Sequence, residues 1–478
     1  MKKIPEPYAI PHLAYQLSLL EAPLHETTGN EVLPFVAIPQ SALQFNRTLN
    51  KMGVGDRPVH DWYRFVLSYP PHLVRTYLEK FGIDGTHTVL DPFCGTGTTV
   101  VECQKLGIAS VGIEANGIAQ FAGAVKTDWS VDPDGLIAHS HEIAAAVMAT
   151  FNAIGIDDNP ALYRWSHHDL TRISALRTLD PALEKLLISH SISPLPLHKV
   201  LVLRDHLQQK RDDRFYRHQL LALAKALTGS ISNLRFGPEV GVGPPKADAM
   251  VVRAWLNGIH QMAHDLRLLG AGPHVSTVVH HADARHVGQL LAPHSIDAVI
   301  TSPPYPNEKD YTRTTRLESV LLGFVSSKTE LQALKRNLVR SNTRGVYISD
   351  TDDQWIADFP VIQHIADSIE ARRIELGKTS GFERLYSRVT KLYFGGMARH
   401  LADLRGVLRP GAQLAYVVGD QASYLRVLIR TGHLLAEIAQ SLGYEVVGID
   451  LFRTRRATAT NHELREEVVV LRWPGTAI

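Results

Sequence analysis

The nine residues Asp91–Thr99, DPFCGTGTT, limit what this chain can fold into more than any other feature. A short apolar stretch, Thr88–Leu90, runs into them, and a helical pattern leaves them from Thr98 through Leu106. A second apolar stretch, ASVGIEAN, follows and carries Glu114, 17 residues after Gly97. Strand, Gly-rich turn, helix, strand and acid form the opening unit of a nucleotide-binding α/β sheet. Gly95 and Gly97 permit a tight turn close to a ligand, and the helix start offers unpaired backbone N–H groups. The loop lacks the GxxxxGK[ST] lysine of a phosphate loop, so it suits the polar end of a nucleotide-like cofactor. An ordinary strand-to-helix turn is the plainer alternative. Glu114 sits where an acid can bond both hydroxyls of an adenosine ribose; capping the following helix is its other possible role. Asp283, after the strand-like VVHHADA, either accepts from an adenine amine or caps a helix.

A second cluster, Thr301-Ser302-Pro303-Pro304-Tyr305, directly follows the apolar DAVI. That places it at the carboxyl edge of a sheet, where open α/β folds bind ligands. The two prolines donate no backbone hydrogen bond, and Ser302 is held extended by its neighbour. Carbonyls there are free to accept from an amine, and Tyr305 supplies a face for a stacked base.

Together the two clusters resemble the site-specific amino-methyltransferases that modify cytosine N4 or adenine N6 in DNA. The resemblance implies a Rossmann-like, S-adenosylmethionine-dependent methyltransferase sheet, with duplex DNA as partner and no metal. It matches Asp91, Phe93, Gly95, Gly97 and Thr98 to the cofactor loop, Glu114 to the ribose acid and Asp283 to the acid near adenine. Ser302, Pro303, Pro304 and Tyr305 match the catalytic tetrapeptide, and the segment Asp61–Val74 matches an element beside the methionine end of the cofactor. The serine form is closest to the cytosine-N4 enzymes. Adenine N6 is the first alternative, followed by an RNA base methyltransferase and a silent DNA-binding protein. The resemblance also suggests host-DNA protection beside a cognate restriction endonuclease. Methylation at cytosine carbon-5 needs an attacking thiolate; Cys94 and Cys103 lie in or just after the loop, and no Pro-Cys pair occurs.

The rest of the 478 residues is read around these clusters. Residues 1–130 would hold an N-terminal element and the cofactor half, 131–271 a helical insertion and candidate target-recognition region, and 272–478 the catalytic half. Within the insertion, SNLRFGPEVGVGPPKAD reads as irregular because of its Gly and Pro content. The stretch EEVVVLRW reads as a final edge or hairpin strand. Asn307, Asp310, Tyr311 and Arg313 are secondary pocket candidates. Lys335, Arg336, Arg340, Arg344, Arg372, Arg373, Arg453, Arg455 and Arg456 are candidate phosphate contacts. A formal charge of +2 decides nothing about partners. Two cysteines make neither a disulfide framework nor a zinc site. No apolar run reaches a membrane span or a secretory signal, so a cytoplasmic location is expected.

Overall fold

The computed structural model describes residues 49, 51–64, 68–158, 176–237, 239–270, 275–307, 309–456 and 463–475. The chain divides into two units; the first, Met1–Phe45, lies outside the described residues, and every element below belongs to the second, Asn46–Ile478.

Helix α1 (Pro71–Lys80) starts at the second proline of the Pro70–Pro71 pair, where a missing N–H costs nothing. Phe65 and Val66, which continue the apolar pattern before it, lie outside the described residues. The chain then runs through β1 (Thr88–Asp91), α2 (Thr98–Lys105), β2 (Ala109–Glu114) and α3 (Gly117–Lys126). The insertion follows, with α4 (Pro133–Ala153), α5 (Pro194–Gln209), α6 (Tyr216–Ala226), the strands β3 (Leu234–Phe236) and β4 (Val240–Val242), and α7 (Val251–Leu269). The sheet resumes with β5 (Thr277–His281) and β6 (Ile296–Thr301). Helices α8 (Lys328–Arg336), α9 (Pro360–Glu375) and α10 (Tyr386–Leu404) lead to β7 (Leu408–Gly419), α11 (Thr431–Ser441), β8 (Glu445–Arg456) and β9 (Glu463–Arg472).

Seven strands make one Rossmann-like sheet in the order β5-β2-β1-β6-β7-β9-β8. Only β9 runs against its neighbours. The stretch EEVVVLRW is therefore an inner strand of the hairpin, and the edge belongs to β8. Alternate residues of each strand serve opposite layers, which is why the strands read as nearly unbroken apolar runs. Val89, Ala298, Ile300, Ala415, Val417, Val468 and Val470 pack with α1. Leu90, Val299, Leu414, Tyr416, Val418, Val469 and Leu471 pack with α10 and α11.

The insertion shares its core with the sheet domain: Val147, Leu203, Leu223 and Trp255 join Val101, Ile118, Ala122 and Val125 in one buried cluster. Its Gly- and Pro-rich segment is irregular only in part, since residues 243–248 form neither helix nor strand but two short strands precede them. Leu234–Phe236 and Val240–Val242 pair antiparallel with Phe236 opposite Val240, making a short hairpin. Among the described residues no helix is long and apolar enough to cross a membrane.

Candidate active site

Strands β1 and β6 lie side by side and parallel, with Val89 opposite Ala298 and Leu90 opposite Val299. The sheet is built outward in both directions from this pair, and such a switch point opens a crevice beyond the strand ends. The glycine loop leaves β1 there and Ser302–Tyr305 leaves β6. The two are bonded to each other. Thr301 Oγ1 donates to Asp91 Oδ1 at 2.6 Å, and Thr99 Oγ1 donates to the Ile300 carbonyl at 3.0 Å. Tyr69, from the segment before α1, donates to Asp91 Oδ2 at 3.0 Å and also bonds Thr99. Burial pushes the Asp91 carboxyl up to about 6, even with Thr301, Tyr69, Thr99 and the Phe93 N–H favouring its ionised form.

These strand ends border a cavity of about 480 Å³. Phe93, Gly95, Thr98, Glu114, Asp283 and the whole Ser302–Tyr305 segment line it. Asp91 and Gly97 do not. Asp91 is a brace beneath the loop. Gly97 has φ +88°, and a Cβ there would stand 3.0 Å from Gly123 Cα, so it fits the loop and α2 against α3.

Glu114 ends β2 and accepts from the Gly95 N–H at 2.8 Å and the Asn116 N–H at 2.7 Å. Part of its surface faces the cavity, yet desolvation inside the enclosed site raises it to about 7. The Asn116 side chain donates to Thr315 Oγ1 at 3.1 Å, while its buried Oδ1 has no partner. From behind the loop, buried Lys126 donates to the Thr96 carbonyl at 3.0 Å. Phe93 is set by an edge contact with His400, ring centroids 4.9 Å apart. Asp283 caps the turn after β5 by accepting from the Arg285 N–H at 2.9 Å. The Arg285 guanidinium also forks onto Asp283 and reaches Asp352 and the Arg336 carbonyl. Asp283 thus has the helix-capping role and a place on the cavity wall together.

On the other side, Ser302 Oγ donates to the Val417 carbonyl of β7 at 3.1 Å. The Pro303 carbonyl accepts from no described residue. The Tyr305 ring lies along β7, where a Cβ on Gly419 would come within 3.0 Å of its Cε2. Cys94 reaches the cavity wall, but burial holds its thiol well above the usual range.

Of the secondary candidates, Asn307 and Tyr311 line the cavity. Asp310 instead caps Thr312 and pairs with Lys335 at 2.9 Å, and Arg313 stays off the wall. Arg340 is engaged by Asp350, Arg372 by Glu375 and Arg373 by Glu370. Arg453 and Arg455 do reach the cavity, where Glu466 on β9 meets them. Sequence reasoning missed Glu239, Lys309 and Glu466 on this wall. Glu239 comes from the β3–β4 hairpin, and no local motif marks a loop that reaches the cavity only through tertiary folding. Lys309, four residues past Tyr305, had a signal in its position alone.

Residues 48–119 match the family model N6_N4_Mtase, described as DNA methylase. The chain is similar to the type II methyltransferase M.BsoBI of Geobacillus stearothermophilus, 24% identical over 473 residues and covering 92% of this chain and 89% of that protein. It is also similar to the type II methyltransferase M.AvaI of Nostoc sp. and of Anabaena variabilis, 22% identical over 489 residues with 94% and 90% covered. Among solved structures, TrmN from Thermus thermophilus aligns at 10% identity with a TM-score of 0.28, over 87% of this chain and 52% of that one. The chain therefore spans about half the length of that solved protein.

Proposed function

We propose that this chain is an N6/N4 DNA methyltransferase that transfers a methyl group from S-adenosylmethionine to the exocyclic N4 amine of cytosine in a specific duplex sequence. Host-DNA marking, as in restriction and modification beside a cognate endonuclease, is the setting we infer. The observation that carries the reading is the single cavity that holds both clusters, joined beneath by the Asp91–Thr301 hydrogen bond.

The residues present fit the cofactor. Buried Asn116 Oδ1 lacks a donor, and beside it Glu114 offers a carboxylate to ribose hydroxyls. Phe93, Gly95 and Thr98 would hold the methionine end, and Asp283 stands on the wall for the adenine side. S-adenosylmethionine supplies an electrophilic methyl on a sulfonium; the protein supplies position. An aryl amine is a poor nucleophile because its lone pair is delocalised into the ring. Ser302 spends its proton on Val417, so its oxygen meets the cavity as an acceptor. With the Pro303 carbonyl it makes two acceptors for the two N–H bonds of an amine, and that geometry aims the lone pair out of the ring. Tyr305 stacks the flipped base, returning about 1–3 kcal/mol of the cost of leaving the duplex. Burial holds the Cys94 thiol protonated, so it offers no thiolate for a covalent adduct. The 131–271 insertion is our candidate for reading the target sequence, since its hairpin brings Glu239 to the cavity.

The test is to incubate purified protein with mixed-sequence duplex DNA and methyl-labelled cofactor, digest to nucleosides and identify the labelled species. N4-methylcytosine is expected. Label in N6-methyladenine would overturn the base, label in 5-methylcytosine the mechanism, and label found only with RNA the substrate.

A further inference from the structure

The turn Tyr347–Asp350 presents Ile348 to solvent with 96% of its surface exposed. A lone exposed apolar residue is ordinary on a protein surface. This one stands on a turn that is fixed from two sides. Arg340 forks onto Asp350 at 2.9 and 2.8 Å, and Asp350 also accepts from the Tyr347 N–H at 2.7 Å. Arg388 donates to the carbonyls of Ile348 at 3.1 Å and Asp350 at 3.2 Å. Such turns favour Gly, Asn, Asp or Ser at the tip, and nothing in the fold uses an isoleucine there.

Its surroundings are cationic and aromatic. The Arg336 guanidinium lies 4.9 Å from the Tyr347 ring centre, and Arg344 lies 5.4 Å from that of Phe382. Arg336 and Arg344 are exposed, and neither pairs with a carboxylate among the described residues. The segment is also tied to the tetrapeptide. The Asn307 N–H donates to the Ser341 carbonyl at 2.9 Å, and Arg340 and Gly345 line a small cavity together with Pro304. Only Val346 and Tyr347 separate Gly345 from Ile348, so the reach between them is at most about 11 Å.

We propose that this face docks the duplex, with Arg336 and Arg344 on phosphates and Ile348 entering the base stack where the target base has left it. The proposal rests on the reading that the chain methylates a flipped base of DNA. Phosphate contacts from unpaired arginines and an apolar wedge between base steps are the chemistry by which proteins open a duplex. The wedge lowers the cost of extrusion and touches neither cofactor nor amine.

Ile348→Ala separates these roles. Once the methylated site is mapped with the wild-type protein, initial rates are measured on a matched oligonucleotide duplex and on one with an abasic site opposite the target base. A base without a partner leaves the stack more easily. The variant is expected to lose about tenfold or more on the matched duplex, to recover to within about threefold of wild type on the abasic duplex, and to bind S-adenosylmethionine unchanged. Ile348→Leu should keep the matched rate. An unchanged matched rate for Ile348→Ala, or an equal loss on both duplexes, would overturn the wedge. A wild-type protein that labels no DNA would overturn the underlying reading instead. Full exposure of the side chain makes misfolding an unsuitable explanation, and an unchanged melting temperature verifies this.

Discussion

Thr301, the last residue of β6, donates a 2.6 Å hydrogen bond to Asp91, the last residue of β1. This buried contact fixes the cofactor loop and the tetrapeptide relative to one another, and its consequences are measurable. The Asp91 carboxyl is raised to about 6 from an ordinary value near 4. Its contribution to stability is therefore fully present below about pH 4 and is lost as pH rises through about 6. The Thr301 hydroxyl softens that loss by bonding the ionised form. Thr301→Val should destabilise the protein by about 1–3 kcal/mol at pH 8 and by less at pH 5. Urea unfolding of both proteins at the two pH values checks this; an equal effect at both would show that Asp91 does not titrate in this window.

Glu114 gives a second pH dependence, this time in binding. Its carboxyl is raised to about 7, and ribose hydroxyls would bond the ionised form best. Cofactor affinity should weaken as pH falls below about 7 and level off above it. Glu114→Gln should bind about tenfold or more weaker above pH 7 and show a flatter profile. Calorimetric titration with S-adenosylmethionine from pH 6 to 8.5 reads both.

Ser302→Ala should leave cofactor affinity unchanged and slow methyl transfer about 10- to 100-fold, since one hydrogen bond of about 1–3 kcal/mol is lost when the amine is aligned. A parallel drop in cofactor affinity would mean that Ser302 holds the loop rather than the base.

Gly395 lies in α10 where a Cβ would stand 1.9 Å from the Asp352 carbonyl oxygen. Two backbones meet there, so neither side can yield cheaply, and Asp352 in turn holds Arg285 beside Asp283. Gly395→Ala should cost about 1–3 kcal/mol or more. Gly448→Ala, with nothing within 4 Å of its Cβ, should be nearly neutral. Melting curves of the two variants test the contrast.

Much of this was legible in the residues. DPFCGTGTT and TSPPY each follow an apolar strand, so local pattern alone set both at strand ends. Their adjacency was not local information: it depends on strand order, which pairing over long separations decides. The same limit explains β9, whose apolar run suits an edge or an interior equally and which lies between β7 and β8. Spacing matches Gly97 to the cofactor loop; its φ and the closeness of Gly123 give it a packing role as well, which sequence spacing cannot distinguish from ligand approach. The Gly-rich hairpin was read as irregular because three-residue strands give too little alternation to register. Asp283 kept two possible roles in the sequence because only the fold shows Arg285 turned back onto it.

The Asp91–Thr301 pair, 210 positions apart, also sets a timetable for synthesis. Ribosomes add about 5–20 residues per second, so about 10–40 s pass between the making of one partner and the other. Through that interval the nascent chain holds a complete glycine loop, and the Tyr69 hydroxyl for Asp91, but not the Thr301 hydroxyl that donates to it and no tetrapeptide. Loop-closure entropy then has to be met before the two strands can pair. A translation product cut short in that interval would carry the cofactor loop without a complete β6 beside it, and would have nothing with which to grip a base.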